Sequence, residues 1–355
     1  PIRPPPAAAG AEDAAPAGDG RRIRDGTTRA SDWSGFWPLS RYPQALDPAQ
    51  GYVASANQQP VDPMDEPAYL ASNWTSPWRA LRINELLRAD DAVTAQDMAA
   101  WQTDPGNAKA ARIAPAFVAA AAGDAALSAP RALLAAWDHR YLADAEAPLL
   151  FEAAFERLEA LLWDELEFDA AEAAGLPTPP RPREVVVLSL LDDPDSAWWD
   201  DGSTALREDR DALLRRALAD AWASLTAAHG EVGDGAWAWA RHRRANIEHL
   251  ARFPGLGRFD LTVSGGGPGN LNPSSGRGTH GASWRVVVAL DPRRGVHGQG
   301  VYPGGQSGNP AHPGYAGGAL VASEAFDGDP GWQGVGPGEL LVMEAATHET
   351  RLEPL

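Results

Sequence analysis

The feature that most constrains the fold is a long run of helical patterns placed between two regions with strand-like patterns. Residues 74–170 carry apolar side chains at helical spacing. From about residue 258 the chain changes to glycine, serine and asparagine with short β-branched runs, which is typical of strands joined by long loops. A further strand-like segment, residues 51–56, precedes the helices. This order predicts an α+β protein whose two strand regions share a sheet, with the helices inserted between them.

The same patterns predict where individual elements lie. Helices are expected over Pro77–Leu87, Ala110–Ala122, Arg131–Tyr141, Pro148–Phe168 and Thr204–His229. Thr94 and Asp97 predict a helix start, because threonine is a common N-cap residue and an acidic side chain favours the first turn. Strands are expected over Gly51–Ala56, Phe259–Val263, Trp284–Leu290 and Gly338–Met343. The valine-rich run Glu184–Leu191 fits either a strand or a buried helix.

The charge and composition of the chain exclude several classes of protein. The 48 acidic and 30 basic residues give a formal net charge of −18, which argues against a nucleic-acid partner because phosphate binding needs a basic surface. The absence of cysteine excludes disulfide scaffolds, thiolate metal sites and a cysteine nucleophile. No apolar run approaches the roughly 20 residues that a membrane-spanning helix needs. We therefore expect neither a nucleic-acid partner nor a membrane span.

Residue chemistry alone leaves the function open. The eight histidines are scattered and do not have the spacing of a zinc site. The acidic groups Asp192–Asp195 and Asp200–Asp201 have the oxygen ligands that Ca²⁺ accepts, although acidic loops are most often solvated. The glycine-rich runs 264–269 and 304–308 lack the strand, helix and lysine of a phosphate-binding loop, and no Gly-x-Ser-x-Gly motif is present. A binding module and an enzyme are equally compatible with these residues.

Several short motifs follow one another in a fixed order across residues 31–327. They are Trp33–Phe36, Gly51–Pro60, Trp74, Arg79–Ile83, Asp97–Asp104, Trp137–Asp138, Ser196–Asp200, Trp237–Trp239, Gly281–Val288 and Pro303–Pro310. Each motif is weak by itself, but their shared order is specific. In this order the chain resembles the β-chain of the penicillin acylase family, whose members are N-terminal-nucleophile hydrolases.

This resemblance implies an αββα sandwich with a large helical insertion between its strand regions. The expected organisation is a Pro/Ala/Gly-rich loop or tail over residues 1–30 and a β-chain region over residues 31–355. Within that region the helical zone covers about 74–170 and the β-rich zone about 258–345. The resemblance also implies export, and hence a periplasmic or secreted protein.

The resemblance further implies an enzyme that hydrolyses carbon–nitrogen bonds in linear amides through an acyl-enzyme. In this family the nucleophile is the N-terminal serine of the β-chain, and its own α-amino group, which titrates near about pH 8, is the base. This chain begins with Pro1, and the family's nucleophile lies upstream of the matched motifs. The expected partners are therefore the α-chain and the N-terminal part of the β-chain of the same precursor, and residues 1–355 alone are expected to be inactive.

The resemblance gives two residues of this chain a role in the active site. Asn57 matches the asparagine whose side-chain amide donates to the developing oxyanion, and the alternative for it is a local turn at a strand end. Arg79 matches an arginine that orders the site, and the alternative for it is an ordinary helix-surface residue. No nucleophile and no metal ligand are expected in the chain.

No cofactor is required by this mechanism, although family members often bind a structural Ca²⁺. The position of its downstream acidic ligand holds Ala68, with Asp65 and Glu66 only nearby, which argues against the ion here. The expected substrate is a small linear amide, such as the acyl side chain of a β-lactam. The alternatives are an N-acyl-homoserine lactone acylase and a non-catalytic relative that binds amphipathic ligands on tryptophan-rich loops.

Overall fold

The helical middle of the chain is described almost continuously in the computed structural model, and the β-rich part in short segments. The described residues are 2–3, 27, 35–36, 38–62, 74–166, 182–243, 245–248, 258–261, 266–267, 269–272, 286–291, 295–300, 339–343 and 350–354. The tail expected over residues 1–30 lies almost entirely outside them. The chain divides into two units, residues 1–87 and residues 88–355.

Helices dominate the described residues. They are α1 (Trp78–Ala89), α2 (Ala95–Trp101), α3 (Ala108–Ala120), α4 (Ser128–Ala135), α5 (Ala147–Leu162), α6 (Val185–Leu191), α7 (Arg210–His229) and α8 (Trp239–His242). The strands are β1 (Ile2–Arg3), β2 (Gly35–Phe36), β3 (Ala245–Glu248), β4 (Arg258–Leu261), β5 (Val286–Asp291), β6 (Gly295–Gly300), β7 (Glu339–Met343) and β8 (Thr350–Pro354). In the described part of the chain, no helix is long and apolar enough to cross a membrane.

The hydrophobic core of the second unit is built mainly by α3, α5 and α7. Their inward faces bury large apolar side chains at helical spacing, including Ile113, Phe117, Phe151, Leu158, Leu214 and Leu218. Each such side chain contributes about 1.5–3 kcal/mol when it leaves water. The Asn107 side chain caps α3 by accepting from the backbone amides of Lys109 and Ala110. Core packing and capping together fix where α3 begins and which face it buries.

Local signals predicted two further helical features. The helix start predicted from Thr94 and Asp97 is confirmed by α2, and the two residues form a capping box: the Thr94 side chain accepts from Asp97 N while the Asp97 carboxylate accepts from Thr94 N. The valine-rich run forms helix α6, with Val187 and Leu190 buried, so the buried-helix alternative is correct. The predicted strands after residue 258 are confirmed in position by β4, β5 and β7.

The helix predicted over Arg131–Tyr141 is wrong in its second half. Helix α4 ends at Ala135, and the following residues turn away through His139, which has a φ of 62°. Backbone hydrogen bonds then join this segment to the residues before α3, from Asn107 N to His139 O and from Tyr141 N to Pro105 O. These contacts come from residues distant in sequence, which helical periodicity cannot reveal.

The strand predicted over Gly51–Ala56 is also wrong. In the structure this segment belongs to no strand. Its carbonyls are instead bound by side chains, since Gln50 donates to Tyr52 O and Arg79 and Thr75 donate to Ala56 O. Aromatic and β-branched residues favour a pleated surface, but a strand also needs a partner ladder.

The described strands form four separate antiparallel pairs: β1 with β2, β3 with β4, β5 with β6, and β7 with β8. Each pair joins strands that follow one another in the chain, as antiparallel pairing through a direct connection allows. No described ladder joins the strands before the helices to those after them. A sheet shared by both regions stays a prediction.

Candidate active site

Asn57 occupies a backbone turn with an unusual conformation. Its φ is 65°, in the left-handed region, where asparagine is tolerated better than most residues because of its short polar side chain. Ala56 before it is buried, with 6% of its surface exposed, whereas Asn57 itself is exposed. We call Ala56, Asn57 and Gln58 the Asn57 turn. The turn anchors its backbone and presents the asparagine side chain outward.

The structure brings the two sequence-predicted site residues into direct contact. Arg79 Nη2 donates to Asn57 Oδ1 at 2.8 Å and to Ala56 O at 3.0 Å. Arg79 lies in the first turn of α1, next to Trp78, which has only 1% of its surface exposed and anchors the helix start. Partial burial lowers the pKa of Arg79 from its ordinary value, but a guanidinium remains charged in proteins.

This contact fixes the orientation of the Asn57 amide. A guanidinium has only donors, so the atom of Asn57 that faces Arg79 must be the carbonyl oxygen. The Nδ2 group, with its two N–H donors, therefore faces away from Arg79. The side chain of Asn57 accepts from the charged arginine and offers its donors on the opposite side.

Hydrogen bonds from Thr75, and one within the turn to Gln58, also hold the Asn57 turn, and sequence reasoning missed the role of both residues. Thr75 N donates to Asn57 O at 3.0 Å, and Thr75 Oγ1 donates to Ala56 O at 3.0 Å. Gln58 Oε1 accepts from Ala56 N at 2.6 Å. Thr75 directly follows a matched motif residue, but nothing in the local pattern shows which carbonyl its hydroxyl meets.

The segment leading into the turn is bonded to α1 as well. Tyr52 OH donates to Asn84 Oδ1 at 2.7 Å, and Asn84 Nδ2 donates to Ala80 O within the same helix at 2.7 Å. The Asn57 turn is thus held through its backbone by Thr75 and Arg79, and its approach by Asn84. Such an arrangement can present fixed N–H donors to a developing negative charge.

A second polar network lies in the other unit and was not predicted as a site. We call Lys109, Tyr141, Glu152 and Glu184 the Lys109 cluster. Lys109 Nζ lies 3.0 Å from Glu152 Oε2 and 3.7 Å from Glu184 Oε1, and 4.5 Å from the centre of the Phe155 ring. Tyr141 OH donates to Glu152 Oε1 at 2.5 Å.

The carboxylates of the Lys109 cluster stabilise the charge of its lysine. Burial opposes the charged form of Lys109, but Glu152 and Glu184 outweigh it and raise the pKa of the lysine. Burial and the adjacent Glu152 carboxylate raise the pKa of Tyr141 well above its ordinary value. A lysine held protonated is neither a base nor a nucleophile, so the geometry favours a structural ion pair.

A cavity of about 530 Å³ adjoins this cluster. Its charged lining residues are Lys109, Glu152, Glu156, Glu159, Glu184 and Arg243. Trp239 lines it as well and lies under the Arg243 guanidinium, 5.3 Å from ring centre to carbon. The volume is in the range of small-molecule pockets, and the lining combines aromatic and charged side chains.

Of the acidic residues considered for Ca²⁺, Asp200 and Asp201 are engaged in local structure. Asp201 binds Ser203 and Arg216, and Asp200 Oδ1 accepts from Glu208 N at 3.1 Å. Across the part of the chain that the structure describes, no group of three or more potential metal-ligating side chains is found. Asp65, Glu66 and Ala68, at the position of the family's calcium ligand, lie outside the described residues.

Comparison with known proteins identifies the family. The family model described as Penicillin amidase matches residues 1–320, which is most of the chain. The chain therefore belongs to the penicillin amidase family, and the resemblance stated from its motifs is confirmed.

Curated relatives carry two kinds of name. An acyl-homoserine lactone acylase QuiP from Pseudomonas syringae pv. tomato is 31% identical over 80% of this chain and 37% of its own length. A penicillin acylase 2 proenzyme from a Pseudomonas species is 29% identical over the same shares of both chains. The chain thus spans less than two fifths of the length of these relatives.

A solved structure supports the fold. The chain is similar to a thermostable penicillin G acylase from Alcaligenes faecalis with a TM-score of 0.52, covering 79% of this chain and 52% of that one. Sequence identity over this match is 18%, so the comparison shows a shared fold and nothing about substrate. The α+β prediction agrees with it.

Proposed function

We propose that this chain supplies the oxyanion-binding part of an enzyme that hydrolyses carbon–nitrogen bonds in linear amides. The observation that carries the proposal is the Asn57 amide, held by Arg79 with its donors facing outward. A tetrahedral intermediate of amide hydrolysis places negative charge on the former carbonyl oxygen. A donor fixed in advance stabilises that charge without reorganisation during the reaction.

The nucleophile in this proposal is an N-terminal serine outside residues 1–355, with its own α-amino group as base. The α-chain and the N-terminal part of the β-chain of one precursor are then the partners. Two findings support this: family membership, and the share of 37% that the match covers in relatives, one of which is named a proenzyme. We further infer an αββα sandwich completed by those partners, no activity for residues 1–355 alone, and a periplasmic or secreted location.

Two substrate classes follow from the names of the relatives. Penicillin acylases support a small amide such as a β-lactam side chain, and the acyl-homoserine lactone acylases support a fatty amide of a lactone. The oxyanion step is the same for both, because both are linear amides. The acyl chain preferred by the enzyme is therefore measured by comparing phenylacetyl and long-chain acyl substrates.

Asn57→Gly in the complete, processed enzyme tests the oxyanion role. Glycine adopts a φ of 65° without strain, so this substitution removes the amide and keeps the turn, whereas alanine disturbs both. We expect turnover of an amide to fall by about 10²–10³-fold. Asp47→Gly is the matched control, because Asp47 also has a positive φ and is exposed. Turnover of Asn57→Gly within about twofold of the parent would remove Asn57 from the oxyanion hole.

A further inference from the structure

The conformation of Asn57 needs support from its surroundings. A left-handed φ on a residue other than glycine is unfavourable and persists where neighbouring groups determine it. At this turn the backbone carbonyls on both sides of the Asn57 Cα are hydrogen-bonded. The residue common to both of these bonds is Thr75.

Thr75 binds the turn through two hydrogen bonds, one from its backbone and one from its side chain. Its backbone N–H donates to Asn57 O at 3.0 Å, and its hydroxyl donates to Ala56 O at 3.0 Å. These two carbonyls belong to the peptide units that flank the Asn57 Cα, so holding both fixes φ and ψ of Asn57 together. Arg79 shares Ala56 O but otherwise acts on the side chain. Backbone orientation and side-chain orientation are thus set by different residues.

We propose that Thr75 is a positioning residue for amide hydrolysis, whose hydroxyl keeps the Asn57 turn in the conformation that aims Asn57 Nδ2 at the oxyanion. This inference rests on the proposed function. The inference adds to that function a residue that touches no substrate and acts through the peptide unit before Asn57. The hydroxyl is the part of Thr75 that substitution can remove, since the backbone N–H remains in every variant.

The test is Thr75→Val in the complete, processed enzyme. Valine keeps the branched shape and removes the donor, and we expect kcat to fall about tenfold, the upper end of what one hydrogen bond contributes, with KM within about twofold. Thr75→Ser restores the donor and is expected to keep most of kcat. If Thr75→Val is not recovered as processed enzyme, Thr75→Ala removes the same hydroxyl. Thr103→Val is the matched control, because the Thr103 hydroxyl also bonds a backbone carbonyl, Ala100 O, away from this turn.

A double variant separates positioning from general stabilisation. If Thr75 acts through Asn57, Thr75→Val lowers kcat in the parent but not in the Asn57→Gly background. A kcat of Thr75→Val within twofold of the parent, or an equal loss in both backgrounds, overturns the inference. Full activity of Asn57→Gly overturns the proposed function and this inference together. A strongly impaired Asn57→Gly beside a normal Thr75→Val overturns the inference alone.

Discussion

The Asn57 turn and the Lys109 cluster are both polar networks between residues far apart in sequence, but they differ in what remains open. In the Lys109 cluster the ammonium has carboxylates on two sides, and both oxygens of Glu152 are engaged. At the Asn57 turn the acceptor Oδ1 is engaged by Arg79, whereas the described residues place no acceptor on Nδ2. A network that is closed on itself holds helices together, and one with oriented open donors can act on a ligand.

The two regions also differ in burial. Lys109 is 1% exposed, so its charge depends on its partners for stabilisation. Asn57 is exposed, and its contacts set direction more than energy. Substitutions in the cluster should therefore change stability, and substitutions around the turn should change turnover.

Lys109→Met should have the largest effect on stability. It removes the ammonium from between the Glu152 and Glu184 carboxylates, which we expect to cost about 3 kcal/mol. Thermal or urea unfolding of the complete enzyme measures this loss, with kcat of the surviving enzyme expected to be unchanged. Arg157→Met is the control, since Arg157 pairs with Asp220 at 2.8 Å but both side chains are about 40% exposed. Equal losses of stability in Lys109→Met and Arg157→Met would contradict the distinction between the buried ion pair and the exposed one.

Arg79→Ala should affect turnover more than stability. It removes the hydrogen bond that Arg79 donates to Asn57 Oδ1 and the one that it donates to Ala56 O. Hydrogen bonds to a charged group contribute about 1.5–3 kcal/mol, which corresponds to about 10–100-fold in kcat. Arg79→Lys should recover little, because an ammonium lacks the planar fork of the guanidinium. The measurement is kcat on an amide substrate together with the thermal midpoint. Arg82→Ala, at the next turn position of α1, serves as the control, and a similar kcat loss there would argue against a specific role for Arg79.

The residues of the turn could be predicted from sequence, but their contact could not. Asn57 and Arg79 were found through ordered motifs, each recognisable locally. Their hydrogen bond joins residues 22 positions apart, and it depends on how the chain returns to α1. The misassigned strand at Gly51–Ala56 has the same origin, because the carbonyls of this segment are bound by side chains that periodicity does not describe.

For the Lys109 cluster, the helices could be predicted from sequence, but the contacts between their charged side chains could not. Helices α3 and α5 were predicted from local spacing; the structure confirms α3 closely, whereas α5 ends at Leu162 instead of the predicted Phe168. Which charged residues meet between them depends on helix rotation and packing, since Lys109 and Glu152 are 43 positions apart. A single lysine in the sequence gave no indication that it is buried.

Tyr141→Phe should give the smallest effect and test the closed network through pH. The folded state holds the Tyr141 phenol protonated, because burial and Glu152 raise its pKa, whereas an unfolded tyrosine ionises near about pH 10. Above that pH the unfolded state binds fewer protons, so stability falls as pH rises, by at most about 1.4 kcal/mol per pH unit for one group. The Lys109 ion pair acts in the same direction, since its stabilisation is present below the lysine's unfolded pKa and is lost as pH rises through the raised folded pKa.

Phenylalanine cannot ionise, so Tyr141→Phe should flatten the alkaline decline in thermal midpoint while leaving the Lys109 contribution in place. At neutral pH the variant also loses the bond to Glu152, which makes it less stable there than the parent. The thermal midpoints of Tyr141→Phe and of the parent, plotted against pH, should therefore approach each other between about pH 9 and 11. A Tyr141→Phe curve that stays parallel to that of the parent would mean that the phenol ionises as easily in the folded protein as in the unfolded chain.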